Sequence, residues 1–209
     1  MAAPQIVPYD PAWPSVASAW IARLLAALTP RGIVPTRIEH IGSTAVPGLA
    51  AKPYLDLQLL FPAVPDEAAF SAVMSPLGLQ RARGSRPDSP GVDVDIPRPG
   101  ADPRHHEKLL YFRDVVESGS VHGVILHVRH QDSSFAEFVT VFRDWLWADV
   151  GARTEYERLK RGLAEEFAGA SDYDDYTRAK SAFMDRAQAA MGWPRALGRE
   201  SRTRPSLEG

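Results

Sequence analysis

The chain has 209 residues, with 24 Lys and Arg against 26 Asp and Glu, a formal charge of -2 and no cysteine. This balance creates no global field toward nucleic acid or an anionic membrane, so any anion site has to be local. Without cysteine there is no disulfide framework, no thiolate nucleophile and no Cys-bound zinc or iron-sulfur centre, which leaves His, Asp and Glu as metal ligands.

No run of ~18 apolar residues occurs, and the stretch from Met1 to Trp13 has no basic cluster ahead of an apolar segment. The expectation is a cytoplasmic soluble protein with no membrane partner. One domain over residues 1–193 is expected, at roughly 100 to 200 residues per domain. Residues 194–209 read as a disordered basic tail, rich in arginine and poor in apolar side chains.

Asp10 and Pro11 open a predicted helix over 11–29, with Trp13, Val16, Ala17, Trp20, Leu24 and Leu28 on one face. Pro30, Gly32 and Pro35 end it, and 37–41 reads as a short strand with Ile38 and His40 on the same side. After a turn-rich stretch over 42–53, residues 54–61 alternate. Leu55, Leu57, Leu59 and Phe61 share one face, and Tyr54, Asp56, Gln58 and Leu60 the other. Pro65 and Asp66 start a second helix, with Ala69, Phe70, Val73 and Met74 inward, that stops at Pro76 and Gly78.

Residues 79–107 carry many prolines and glycines and leave space only for a short strand over 92–96, so a mobile or edge-strand segment is expected. Strands over 108–113 and 123–129 follow. In the second, Val124, Leu126 and Val128 oppose Ile125, His127 and Arg129. His122 and His130 read as loop residues. Apolar residues at helical spacing then predict three helices, through Phe135 to Leu146, Tyr156 to Phe167 and Tyr176 to Ala187, with Trp147 off the stripe. The pattern is α/β (α+β), a mixed sheet flanked by helices with a helical C-terminal third.

Gly42 and Ser43 form a small-residue turn whose amides can approach a phosphate, and thirteen residues beyond Ser43 stands Asp56 on a strand. The spacing resembles the nucleotidyltransferase signature, in which a Gly-Ser turn precedes an Asp-x-Asp or Asp-x-Glu strand. There, amides cradle a triphosphate while carboxylates hold divalent metal. At the second acidic position this chain has Gln58.

The whole segment Ile38 to Leu60, IEHIGSTAVPGLAAKPYLDLQLL, is more specific. With LHV at 126–128, FRDWL at 142–146, EYERLK at 155–160 and AKSAF at 179–183, all in order, it resembles the GrpB (UPF0157) family across most of the chain. That resemblance implies a nucleotidyltransferase-like fold, and relatives in which such a domain is fused to dephospho-coenzyme A kinase. It implies that His40, Gly42, Ser43, Lys52, Asp56, His127, Arg143, Lys160 and Lys180 converge at one cleft, with Gln58 beside them.

The implied ligand is a nucleotide or another phosphorylated small molecule. Asp56 and His127 would hold Mg2+ or Mn2+, while Gly42, Ser43, Lys52, Arg143, Lys160 and Lys180 meet phosphates and Asp56 and Ser43 act in catalysis. The alternative is a non-catalytic nucleotide-binding or accessory module linked to coenzyme A metabolism, which Gln58 would permit. A protein-interaction role for the helical third is another, and no nucleic-acid partner is expected.

Plainer readings stand beside these. His127 alone suits a hydrogen-bonded core histidine, and Lys160 and Lys180 suit solvated helix faces. His105 and His106 are adjacent on an extended segment and point apart, and the pair Asp93 and Asp95 suits a solvated edge better than a metal site. No P-loop G-x-x-x-x-G-K-[ST] and no G-x-S-x-G elbow occurs.

Overall fold

The computed structural model describes residues 5–114, 121–172 and 174–194; the expected tail beyond 194 lies outside them. Five strands make one sheet: β1 (Arg37–Ile41), β2 (Tyr54–Phe61), β3 (Gln80–Arg81), β4 (Lys108–Asp114) and β5 (Gly123–His130), in the order β1-β2-β5-β4-β3. β2 and β5 are parallel and the remaining pairs antiparallel.

Two helices cover one face of this sheet. In α1 (Trp13–Leu28) the apolar stripe buries Trp13, Ala17, Trp20, Leu24 and Leu28, and Asp10 Oδ1 accepts from the Ala12 N–H at 2.8 Å just ahead of the first turn. In α2 (Glu67–Met74) Asp66 is the N-cap, its carboxylate accepting from the Ala69 N–H at 2.9 Å. Both pack on Leu55, Leu57, Leu59, Val124, Leu126 and Val128, the apolar sides of β2 and β5. Each such large side chain contributes about 1.5–3 kcal/mol on burial, so this layer fixes the sheet and frees the opposite face for chemistry.

Over that opposite face lie four helices, not the three that periodicity predicts: α3 (Ser134–Ala148), α4 (Val150–Glu166), α5 (Asp174–Ala179) and α6 (Ser181–Met191). The apolar spacing runs on through the α5/α6 junction at Lys180, so it carries no mark of the break. Physically the two halves part company because Tyr176 turns to the cavity, whereas Phe183 and Ala187 enter a second core with Phe138, Phe142, Leu146, Tyr156 and Trp193. Val46 and Leu49, from the turn after β1, plug into the same core. Trp147 is exposed, as its position off the stripe implies. Among the described residues no helix is long and apolar enough to cross a membrane.

Two local expectations need correction. The strand over 92–96 does not form: Val94 makes only an isolated bridge to Glu107, and Pro90, Pro97 and Pro99 deny the flanks a ladder. His130 is not a loop residue but the last residue of β5, with its ring stacked on His105 at 3.9 Å.

Candidate functional site

A cavity of about 590 Å³ separates the free face of the sheet from α3–α6. Its floor follows from the strand register. Asp56, Ile125 and Phe112 form one row across β2, β5 and β4, and Gln58, His127 and Leu110 the next. Tyr54 lies across Gly123, where a Cβ would stand 2.5 Å from both the Tyr54 ring and the Arg113 carbonyl, and its hydroxyl donates to Asp114 at 2.8 Å. Phe142, Val139 and Met184 line the helical side, so one half of the cavity is apolar and the other polar.

The polar half begins at the Gly42 turn. Gly42 has φ 73 and ψ -172, backbone open essentially to glycine alone, and the short 3-10 turn Ser43–Ala45 follows. Lys160, almost fully buried on α4, donates to Ser43 Oγ at 3.1 Å and to the Ala50 carbonyl. One turn earlier on α4, Glu157 accepts from the Ala50 N–H at 3.1 Å. Together they tie α4 to the loop over 42–52. Burial, with Lys180 close by, brings the Lys160 ammonium down to about 7.

Two more lysines face the same corner. Lys52 Nζ sits 4.0 Å from the centre of the Tyr54 ring and Lys180 Nζ 4.6 Å from that of Tyr176. Burial lowers Lys52 to about 8, against an upward pull from Asp56, and it lowers Lys180 as well. Arg143 reaches the edge of the cavity, donating to the His40 carbonyl at 2.9 Å and pairing with Asp144 at 2.7 Å.

Not every expected residue joins them. His40 pairs with Leu57 across β1 and β2, which puts its ring on the face opposite Asp56. There its Nε2 meets Thr44 Oγ1 at 3.0 Å, and burial, then Arg143, holds the imidazole down to about 4. Gln58 is on the right face but fully buried beneath the cavity. Its amide donates to Glu39 (2.7 Å), Thr140 (3.2 Å) and the Ala136 carbonyl (3.3 Å), and its carbonyl accepts from Arg129 at 2.9 Å.

Asp56 occupies the centre. Its side chain is 31% exposed, all toward a cavity whose walls shield it from bulk water, and this desolvation raises its pKa despite Lys180, Lys52, Arg129 and Lys108 around it. His127 Nε2 faces Asp56 Oδ1 at 3.4 Å, while its Nδ1 faces Lys108 Nζ and Arg129 Nη2, each at 3.2 Å. Both of those groups are donors, so Nδ1 is the bare nitrogen and the ring proton sits on Nε2, directed at Asp56. Burial, then Arg129 and Lys108, keeps this imidazole neutral, its pKa well below the ordinary value.

Sequence reasoning missed the group that sets this up. Asp95, assigned to a solvated edge, is 1% exposed, with its carboxylate shared between Lys108 at 2.7 Å and Arg129 at 2.7 and 2.9 Å. Nothing local announces it, because the partners come from β4 and β5. Of the expected pair only Asp93 is at the surface, bonded to Arg81.

These contacts decide what the site can hold. Gln58 is committed to other partners, Asp95 is committed to two cations, and neither ring nitrogen of His127 offers a lone pair toward Asp56. The donor set does not fit a divalent centre built on Asp56 and His127, and among the described residues no three His, Asp or Glu side chains form a metal-holding group. It suits an anion: amides of a glycine turn, three desolvated lysines and an apolar wall.

Comparison with known proteins agrees with the fold. The model of the GrpB protein family matches residues 3–190. A UPF0157 protein of Pseudomonas aeruginosa is 31% identical over 194 residues, covering 91% of this chain and 70% of that protein. The dephospho-CoA kinase of Mycolicibacterium paratuberculosis is 29% identical, over 93% of this chain but 47% of that protein, so this chain spans about half its length. Among solved structures, the conserved protein GrpB from Enterococcus faecalis superposes with a TM-score of 0.66 at 20% identity, covering 90% of this chain and 96% of that one. A chain of the GLD-2/RNP-8 complex superposes at 0.50 and 10% identity, covering 87% and 61%. The fold is nucleotidyltransferase-like.

Proposed function

The chain belongs to the GrpB family, and from that premise we propose that it binds a nucleotide or another phosphorylated small molecule in the cavity over Asp56. The observation that carries this reading is the convergence of Lys52, Lys160 and Lys180 on the Gly42–Ser43 turn, beside a wall of Phe142, Val139 and Met184. Desolvation and their mutual repulsion lower the proton affinity of these ammonium groups, an anionic ligand relieves that cost, and an apolar wall next to them accepts a base or another flat group. The ligand's phosphates meet the lysines and the turn amides. Its body lies along Ile125 and Phe112.

Group transfer is the finer form of the proposal. In it the acceptor oxygen bonds to the ligand's α-phosphorus as the bond to pyrophosphate breaks. Asp56 takes the hydroxyl proton, for which desolvation suits it by raising its basicity, Lys52, Lys160 and Lys180 receive the leaving pyrophosphate, and Ser43 Oγ helps seat the phosphate. The accessory-module reading is favoured by a separate observation, the full engagement of Gln58 where a second acid would be needed. The cytoplasm, where nucleotides are plentiful, is the compartment this reading assigns.

A thermal-shift screen of nucleotides, coenzyme A precursors and inorganic pyrophosphate, on wild type and Lys180→Ala, tests the binding claim. A ligand at 100 times its Kd stabilises by about 2.7 kcal/mol, and that shift is expected to shrink in the variant. A flat screen on well-folded protein would remove the proposal. Turnover with binding separates the transfer form from the accessory one.

A further inference from the structure

Phosphate sites usually bring a divalent cation with the ligand, and here the surroundings of Asp56 argue against one. A cation entering between Asp56 and a ligand phosphate would approach Lys52, Lys180, Lys108 and Arg129, all of which act electrostatically on that carboxylate. Besides Asp56, the other carboxylates that line the cavity are engaged, Asp114 by the Tyr54 hydroxyl and Asp172 and Asp174 by Arg86. Asp95 is neutralised by its two cations, and His127 presents an N–H.

Building on the proposal above, we propose that this cavity binds the phosphates of its ligand without a divalent metal ion, the ammonium groups of Lys52, Lys160 and Lys180 standing where the metal would. Asp56 then has a different duty toward the anion. It is the local counter-charge that keeps Lys52 and Lys180 protonated in a dry site, since its field pulls both upward against burial. Asp95 serves the floor in the same way for Lys108, and Lys108 together with Arg129 fixes the tautomer of His127. Burial brings Lys52, Lys160 and Lys108 down to about 8, 7 and 8. A bound polyanion restores their affinity for protons, so binding at mildly alkaline pH takes protons up from solution.

Titration calorimetry with inorganic pyrophosphate on the full chain, in EDTA and again in Mg2+, tests this. Two buffers of different ionisation enthalpy at pH near 8 report the proton count. Pyrophosphate is expected to bind in EDTA at least as tightly as in Mg2+, with net proton uptake. Asp56→Asn is expected to take up more protons per pyrophosphate bound near pH 8, because Lys52 and Lys180 lose the field that holds them charged, and Lys180→Ala is expected to bind it about tenfold more weakly, the sense expected of charge-assisted contacts. Circular dichroism certifies that each variant is folded, and the wild-type comparison stands even where a variant is not. Binding that requires Mg2+ or Mn2+ and disappears in Asp56→Asn would overturn the metal-free inference while leaving a phosphate site in place. No binding of pyrophosphate or of any nucleotide under either condition would overturn the phosphate reading itself, and this inference with it.

Discussion

Gly42 and Asp56 are packed so closely that a Cβ on the glycine would stand 2.5 Å from the Oδ2 of the carboxylate. The glycine also has φ 73 with ψ -172, a region that costs any other residue about 1–3 kcal/mol. Gly42→Ala therefore meets two penalties, backbone strain and a clash with the centre of the site. Urea unfolding is expected to show a loss of at least that size, and ligand binding is expected to fall because Asp56 and the Ser43 turn have to move apart. Unchanged stability would mean that the turn has another conformation.

Asp95 makes a second prediction. Burial alone would raise its carboxyl, but the charges and hydrogen bonds of Arg129 and Lys108 outweigh that and hold it at about 2 against an ordinary 3.8. A folded pKa below the unfolded one means a contribution present in full above 3.8 and lost as pH falls through about 2. Asp102 and Asp172, also held at about 2 by Arg104 and Arg86, are more open to water and count for less. Asp95→Asn leaves two buried cations uncompensated and is expected to cost about 3–5 kcal/mol at neutral pH. It should also flatten the acid limb of a urea-midpoint profile; an unaltered limb would show that other carboxylates control acid unfolding.

How far the sequence foretold this depends on the range of the interaction. Leu55, Leu57, Leu59 and Asp56 were readable because period-2 alternation is local, and Asp66 because an N-cap satisfies an amide three residues away. The convergence of Gly42, Ser43, Lys52, Asp56, His127, Lys160 and Lys180 on one cavity came from family resemblance, not from any spacing. His40 shows the limit of that route: alternation on β1 already placed it with Ile38, and that side packs on α1 rather than on the cavity. Asp95 was illegible because its burial is made by Lys108 and Arg129, distant in sequence and each a surface residue by habit. The helix break at Lys180 was hidden for a similar reason, since the cavity and the second core divide one unbroken apolar pattern.

Gln58 tests whether restoring the second acid would restore a metal site. Its amide N–H groups serve Glu39 Oε2 at 2.7 Å, so Gln58→Glu sets two carboxylates face to face, with Arg129 on the Gln58 side and the exposed Arg37, 3.8 Å from Glu39, to compensate. A loss of about 1–3 kcal/mol is expected for the orphaned acceptors, with no gain in Mg2+ binding. Adding Glu39→Gln returns a donor to the pair and should recover most of the loss in a double-mutant cycle. Independent, additive effects would show that the two side chains do not share a bond.

The buried lysines give opposite pH dependences to stability and binding. Lys160 moves from 10.5 when unfolded to about 7 when folded, and Lys52 and Lys108 from 10.5 to about 8, in each case with burial as the main cause. Within those windows the unfolded chain holds more protons than the folded one, so the stability of the empty protein rises with pH from about 7. Below that the full penalty of three buried charges is present. Near pH 10 Tyr156 begins to oppose this trend, because burial raises its hydroxyl above the ordinary 10.0 and the unfolded chain gives up that proton first, but the sign changes only above 10.5, once the unfolded lysines have lost their own protons. A phosphate ligand needs the charged lysines, so its affinity falls over the same interval in which the empty protein gains stability. Thermal unfolding with and without pyrophosphate, taken at steps from pH 7 to 9, is expected to show the unliganded midpoint climbing while the ligand-induced increment shrinks. In Lys160→Gln the lowest-pH part of both trends should flatten. Parallel rather than opposed trends would show that these amines do not meet the anion.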